Sequence, residues 1–250
     1  MATSDNLVWA TSDNGTIAYV PLTSNLLLSA IESMQRSFYM EEVICQAYNM
    51  HNQPESFPEM DFLLVRAALD GVSVVAIDKE SGKVAGAAFN KLEEPEQGNF
   101  LTYYEKICQN FASKSVTRWM WQIEKLFTMA NKKNIFEFCN VNCVMELMFL
   151  GVLPEFRKRG IAKKLCEVSI CLAKDLYRGL NVKTPIDDDL LQSGCPPQAV
   201  TGIFTSPVTQ KIARDLQFSN AAKFEYHINN NDIQFRGDSI GVSYDYLKLR

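Results

Sequence analysis

Apolar and polar positions along this chain change period several times, and each change marks an element. Leu147 to Leu153 is a continuous apolar run of strand length, Pro154 stops it, and from Ile161 the apolar positions 161, 162, 165 and 168 fall at helical spacing. Upstream, Thr16 to Leu22 reads as a strand, and residues 24–38 and 40–48 as helices with Thr23 or Ser24 as a possible cap. A loop with Pro54 and Pro58 leads to a helix from about Asp61 to Leu69. Val72 to Asp78 and Lys83 to Phe89 flank Lys79-Glu80-Ser81-Gly82, the pattern of an antiparallel hairpin. Residues 100–113 and 117–131 carry helical periodicity, with Trp119, Ile123, Leu126 and Phe127 on a core face. Residues 181–197 read as a surface loop in which Asp187, Asp188 and Asp189 form a solvated cap rather than a metal site. A strand from Gln198 to Phe204, a helix over 207–216 and closing strands at Ala222 to Ile228 and Ser239 to Leu249 complete the order. The expectation is one α/β domain over residues 1–250, without internal repeats.

Composition narrows the class. With 250 residues, 47% of them hydrophobic, the chain can bury a sizeable core. No apolar run is long enough to span a membrane, and no leader pattern opens the chain, so a cytoplasmic protein is expected. Seven cysteines form neither a C-x-x-C pair nor a zinc framework, so reduced thiols and no metal are expected. The net charge of −4 argues against a nucleic-acid partner and suits a cationic substrate. His51 and His227, the only histidines, sit in no motif and read as surface or structural residues.

The junction between the apolar strand at 147–153 and the following helix carries candidate chemistry. Arg157, Lys158 and Arg159 bring positive charge, Gly160 lets the backbone approach a ligand, and the free N–H groups of the helix's first turn complete an anion site. Neither a P-loop nor a G-x-G-x-x-G fingerprint is present. The bland alternative is a strand, a solvated basic turn and an amphipathic helix.

The order Arg157-x-x-Gly160-x-Ala162, five residues after Val152, resembles the acetyl-coenzyme A signature of the GCN5-related N-acetyltransferase (GNAT) superfamily. The resemblance implies an α/β (α+β) fold: a mixed, largely antiparallel central sheet, splayed at the acetyl-coenzyme A site and flanked by helices. It also implies that the turn amides of Lys158, Arg159, Gly160, Ile161, Ala162 and Lys163 hold the coenzyme's pyrophosphate. The strand backbone at Leu150, Gly151 and Val152 would pair with the pantetheine arm. Within the superfamily three segments resemble the insect arylalkylamine N-acetyltransferases: Phe38-Tyr39-Met40-Glu41-Glu42-Val43-Ile44, with Val43 in place of the usual proline; Gly151 to Arg157; and Phe204-Thr205-Ser206-Pro207-Val208-Thr209 followed by Leu216-Gln217-Phe218.

That likeness implies acetyl transfer to a small amine such as dopamine, serotonin, octopamine or tyramine; nothing in the sequence places a cysteine beside His51 or His227 for a covalent acetyl-enzyme, so direct transfer in a ternary complex is expected. A monomer is expected. Glu42 takes the role of general base by resemblance, against a plain reading in which Glu41 and Glu42 are favourable charges at a helix start. Glu146, six positions before Val152, is the rival base, because an acidic residue there serves so in the histone-acetylating branch; a strand-end glutamate reaching solvent is the plain alternative. The tyrosine that some members place five residues before Phe218 is Ala213 here. Ser206 and Thr209, with Thr205, could order the thiol, a water or the amine, or Ser206 could only cap the helix from Pro207. Phe38, Tyr39 and Tyr48 could line the amine pocket or be core. Polyamines, protein lysines or N-termini as acceptors, and a non-catalytic coenzyme-binding module, are the other readings.

Overall fold

The computed structural model describes residues 8–12, 14–95, 111–120, 123, 135–187, 194–229, 232–237 and 242–249; of 224–229 and 232–237 only the backbone is described. Residues 100–110 of the helix expected over 100–113, Leu126 and Phe127, Asp188 and Asp189, and the His227 side chain lie outside this set; residues 111–113 are not helical. In chain order the elements are β1 (Ala10–Thr11), β2 (Ile17–Pro21), α1 (Ser24–Gln35), α2 (Phe38–Glu41), α3 (Val43–Ala47), α4 (Phe57–Ala68), β3 (Val74–Asp78) and β4 (Val84–Glu93). They continue with α5 (Ile135–Cys139), β5 (Val144–Val152), α6 (Ile161–Tyr177), β6 (Ala199–Phe204), α7 (Pro207–Asp215), β7 (Ser219–Asn229), β8 (Asp232–Gly237) and β9 (Val242–Lys248). Residues 114–120 are also helical.

The strands form one nine-stranded sheet in the order β1-β2-β3-β4-β5-β6-β9-β7-β8. Every pairing is antiparallel except β5 with β6. That parallel pair spans only Val144↔Ala199, Met145↔Val200 and Glu146↔Thr201, while β5 runs on to Val152 fully paired with β4 on its other side. Beyond Glu146 and Thr201 the two strands part, leaving a wedge whose wall is one edge of Leu147 to Val152. A bulge sharpens the geometry: Phe89 pairs with Phe149 and Asn90 with Leu147, so Met148 has no opposite number. The extra residue turns Phe149 onto the same face as Val144.

Helices cover both faces. α1 to α4 bury Met34, Ile44, Leu63 and Leu64 against Phe89, Val144 and Phe149. On the other face α6 buries Cys166 and Ile170 against Met145 and Leu147, and Leu165 against Leu153. The α1 contact is close. A Cβ built on Gly151 would stand 2.5 Å from Ser37 Oγ and 2.7 Å from Met34 Sδ, and one on Gly86 2.6 Å from the Gly151 carbonyl oxygen.

Several boundaries correct the sequence reading. The helix expected over 24–38 ends at Gln35, and the one over 40–48 is broken at Glu42, whose backbone is extended with φ −63° and ψ 138°. α4 begins at Phe57, ahead of Asp61, because Pro58 sits in its first turn, where a missing N–H costs nothing. β5 starts at Val144, so Glu146 is a strand interior residue and not a strand end. β1 and β8 are strands that the sequence reading does not contain; the alternation Ile233-Gln234-Phe235-Arg236 is the sequence signal of β8. Among the described residues no helix is long and apolar enough to cross a membrane.

Candidate active site

The wedge runs toward the turn between β5 and α6. Pro154–Phe156 forms a single 3-10 turn, after which Lys158 at φ 60° and Gly160 at φ 75° both take left-handed backbone. Gly160 is the N-cap of α6, and no side chain caps the helix. Among the described residues its first-turn amides are therefore unclaimed by any side chain, and nothing described lies within 4 Å of where a Gly160 Cβ would stand. An open, uncapped helix start fits a diphosphate. The arginines are largely committed elsewhere. Arg157 Nε donates to the Val152 carbonyl at 3.0 Å and its Nη1 to Glu41 at 2.6 and 2.9 Å, folding the turn back on the strand. Arg159 donates to Thr16 Oγ1 at 2.9 Å and lies over the Phe156 ring. Lys163 and Lys164 pair with Glu167, whereas Lys158 is exposed and has no ion pair among the described residues.

On the α1 to α4 face, Glu42 is the N-cap of α3. Its Oε2 accepts from the Ile44 amide at 2.9 Å, the Cys45 amide at 2.8 Å and Trp119 Nε1 at 3.2 Å. Its Oε1 is buried and has no hydrogen-bond partner among the described residues. Three rings pack here: Trp119 stacks on Phe149 at 5.8 Å, and Phe38 meets both edge-on at 6.4 and 5.6 Å. Beside them burial pushes the Cys45 thiol well up, and the charge of Glu42 adds to it.

Glu146 sits at the last paired position before the wedge, only 4% exposed. Its carboxyl is in hydrogen-bond contact with that of Glu93, diagonal to it on β4, and Glu146 Oε2 and Glu93 Oε1 are buried without hydrogen-bond partners among the described residues. Burial, then the neighbouring Glu93, raise the Glu146 carboxyl well above the ordinary glutamate range; burial raises Glu93, with Lys91 opposing.

No family model matches the sequence, and no curated protein matches it. Solved structures do. Arylalkylamine N-acetyltransferase 2 of Aedes aegypti is 22% identical, with a TM-score of 0.68 over 94% of this chain and 99% of its own. A putative arylalkylamine N-acetyltransferase 7 of the same mosquito superposes at 0.71 with 18% identity, over 99% and 98%. The Drosophila melanogaster polyamine N-acetyltransferase that forms N-acetylagmatine superposes at 0.65 with 14% identity, over 93% and 100%. This chain has the GNAT fold.

Leu150 and Val152 lie half-buried on the wedge strand, whereas Gly151 is claimed by α1 packing. Ser206 and Thr209 form a reciprocal capping box at the start of α7, with Ser206 Oγ and Thr209 Oγ1 2.9 Å apart. Those hydroxyls thus serve the helix end, and Thr205 is half-buried just before it. Tyr39 is fully buried and donates its hydroxyl to Asp61 Oδ1 at 2.8 Å, and Tyr48 is core; of the three expected pocket aromatics only Phe38 faces Glu42's rings. Ala213 is buried. Trp119 is core, as its periodicity implies, and in addition donates to Glu42, which the sequence reading does not contain; nor does it contain Glu93. The alternation Phe89, Lys91, Glu93 is the signal that places Glu93 on the face of Glu146.

Proposed function

We propose that the protein is an acetyl-coenzyme A dependent N-acetyltransferase that acts on a small primary amine of the arylalkylamine type, by direct transfer in a ternary complex. The observation that carries this reading is Glu42: one oxygen is anchored by three donors, the other is buried with no hydrogen-bond partner among the described residues, and an aromatic cluster stands beside it. A fixed carboxylate with one free oxygen can take a proton from an ammonium, directly or through water, leaving the neutral amine to attack a thioester. Phe38, Trp119 and Phe149 offer ring faces and edges against which an aryl group can pack. The uncapped α6 start with Lys158 would hold the diphosphate, and the unpaired edge of Leu147 to Val152 would pair with the amides of the pantetheine arm.

The test is release of free thiol from acetyl-coenzyme A against tyramine, dopamine, octopamine, serotonin, polyamines and lysine peptides, with coenzyme binding followed by calorimetry. Turnover of one or more arylalkylamines ahead of polyamines and peptides is expected. Preference for a polyamine, the class processed by the Drosophila neighbour, would redirect the acceptor; no coenzyme binding would overturn the site.

A further inference from the structure

A second acidic centre lies where the wedge closes, and the chemistry proposed above leaves it unused. Its members come from four neighbouring strands. Glu146 on β5 pairs in register with Lys91 on β4 and with Thr201 on β6, and Thr201 pairs with Tyr246 on β9. Tyr244, next on that face of β9, is buried and bonds Thr201. Glu93 lies two residues from Lys91 on the same side of β4. Groups facing the pair are Lys91, which is tied to Asp70 at 2.9 Å, Tyr244 and, beyond it, Cys139 at the end of α5. Two carboxyls in contact cannot both ionise cheaply, so such a pair keeps one proton between them. The two orphaned oxygens add a separate observation, because buried polar atoms without partners mark a missing donor or acceptor.

Resting on the reading that the wedge holds an acyl thioester, we propose that Glu93 and Glu146 form a one-proton carboxyl pair that protonates the departing thiolate, Glu93 being the positioning residue that keeps the proton on Glu146. The site matches the need. A pantetheine arm that starts at the α6 turn and follows β5 carries its sulfur toward the closed end of the wedge, and that end is Glu146. When the carbon–sulfur bond breaks, its electron pair goes to sulfur, and the proton on Glu146 forms the S–H bond. The ammonium gives up two protons over the cycle, one to Glu42 before attack and one after it. One of these returns to the pair and the other leaves with solvent, so the carboxyls end as they began. A free thiol titrates near ~8.5, close enough to a raised carboxyl for efficient proton transfer.

The experiment uses the full chain, Glu93→Gln and Glu146→Gln. Carboxyl carbon resonances of the glutamate-labelled protein, followed against pH, are expected to show one carboxyl still protonated at neutral pH in the wild type, and in Glu93→Gln a Glu146 that stays raised by burial but loses its proton at lower pH than in the wild type. With an accepted amine, kcat of the wild type should persist into mildly alkaline solution. In Glu93→Gln the alkaline limb should move down by about one pH unit or more, and kcat there should fall roughly tenfold or more, with KM for acetyl-coenzyme A and the melting temperature at the acid end unchanged. Superimposable pH profiles, or no protonated carboxyl in the wild type, overturn the proposal. If the wild type turns over no amine on the panel, the reading beneath falls and the use of the proton with it, while the carboxyl titration still decides whether the pair exists.

Discussion

Two glycines in the candidate site do opposite jobs. Gly151 is small because the end of α1 and the turn after it press on it: a methyl there collides with Ser37 Oγ in that turn and Met34 Sδ on α1 at 2.5 and 2.7 Å, both buried. Gly151→Ala should therefore act as overpacking and lower stability by about 1–3 kcal/mol, seen as a fall in calorimetric melting temperature; an unchanged melt would show that α1 yields freely. Gly160 is small because its φ is +75°, and the space around it is open. Gly160→Val should cost about 1–2 kcal/mol in backbone strain and, by crowding the amides of the α6 turn, weaken coenzyme binding about tenfold in a calorimetric titration. Unaltered affinity would remove the turn from the binding site. The glycine in the turn was legible from sequence, since basic neighbours and a helix start flank it. Gly151 was read only as wedge backbone, because the residues that crowd it lie more than a hundred positions earlier in the chain.

At the scale of elements, two helix caps carry the candidate polar residues, and they differ in what is left over. At α7 the Ser206 and Thr209 side chains satisfy each other and the backbone. Ser206→Ala is expected to lower stability by about 1 kcal/mol and to leave kcat within a few-fold of wild type, measured by melting and thiol release; a large loss of kcat would return the hydroxyl to the chemistry. At α3 only one oxygen of Glu42 is used for the cap. Glu42→Gln retains an acceptor for the Ile44 and Cys45 amides but not a base, so kcat should fall by roughly 10²–10⁴ while coenzyme affinity holds. Normal turnover would hand the proton to another group. Sequence periodicity found most of these helices and strands. It did not place the break between α2 and α3, because apolar spacing continues through it, and the extended backbone at Glu42 is stabilised by Trp119, 77 residues away.

For the molecule as a whole, the wedge is what local pattern could least supply. The apolar run at Leu147 to Leu153 announced a buried strand, and the resemblance in the turn announced a splayed sheet, yet where β6 leaves β5 depends on three register pairs that close over a separation of about 55 residues. The same long-range pairing brings Glu93 to Glu146 and has a cost readable in solution. Both carboxyls bind protons more tightly folded than unfolded, so unfolding releases protons at pH values between the ordinary glutamate pKa, about 4.3, and the raised folded ones. The pair's contribution is thus intact below that window and is lost as pH rises through it. Glu146→Gln removes the carboxyl that burial and the neighbouring Glu93 raise well above its ordinary range, so the variant should lose less stability than wild type between pH 5 and pH 8. Each unit of raised pKa is worth about 1.4 kcal/mol, or roughly 3–5 °C at this chain length, so the two melting curves should diverge by at least that much in the variant's favour. Parallel dependence of the two melting temperatures on pH would mean that the carboxyls ionise freely in the folded protein, and that the closed end of the wedge holds water rather than a shared proton.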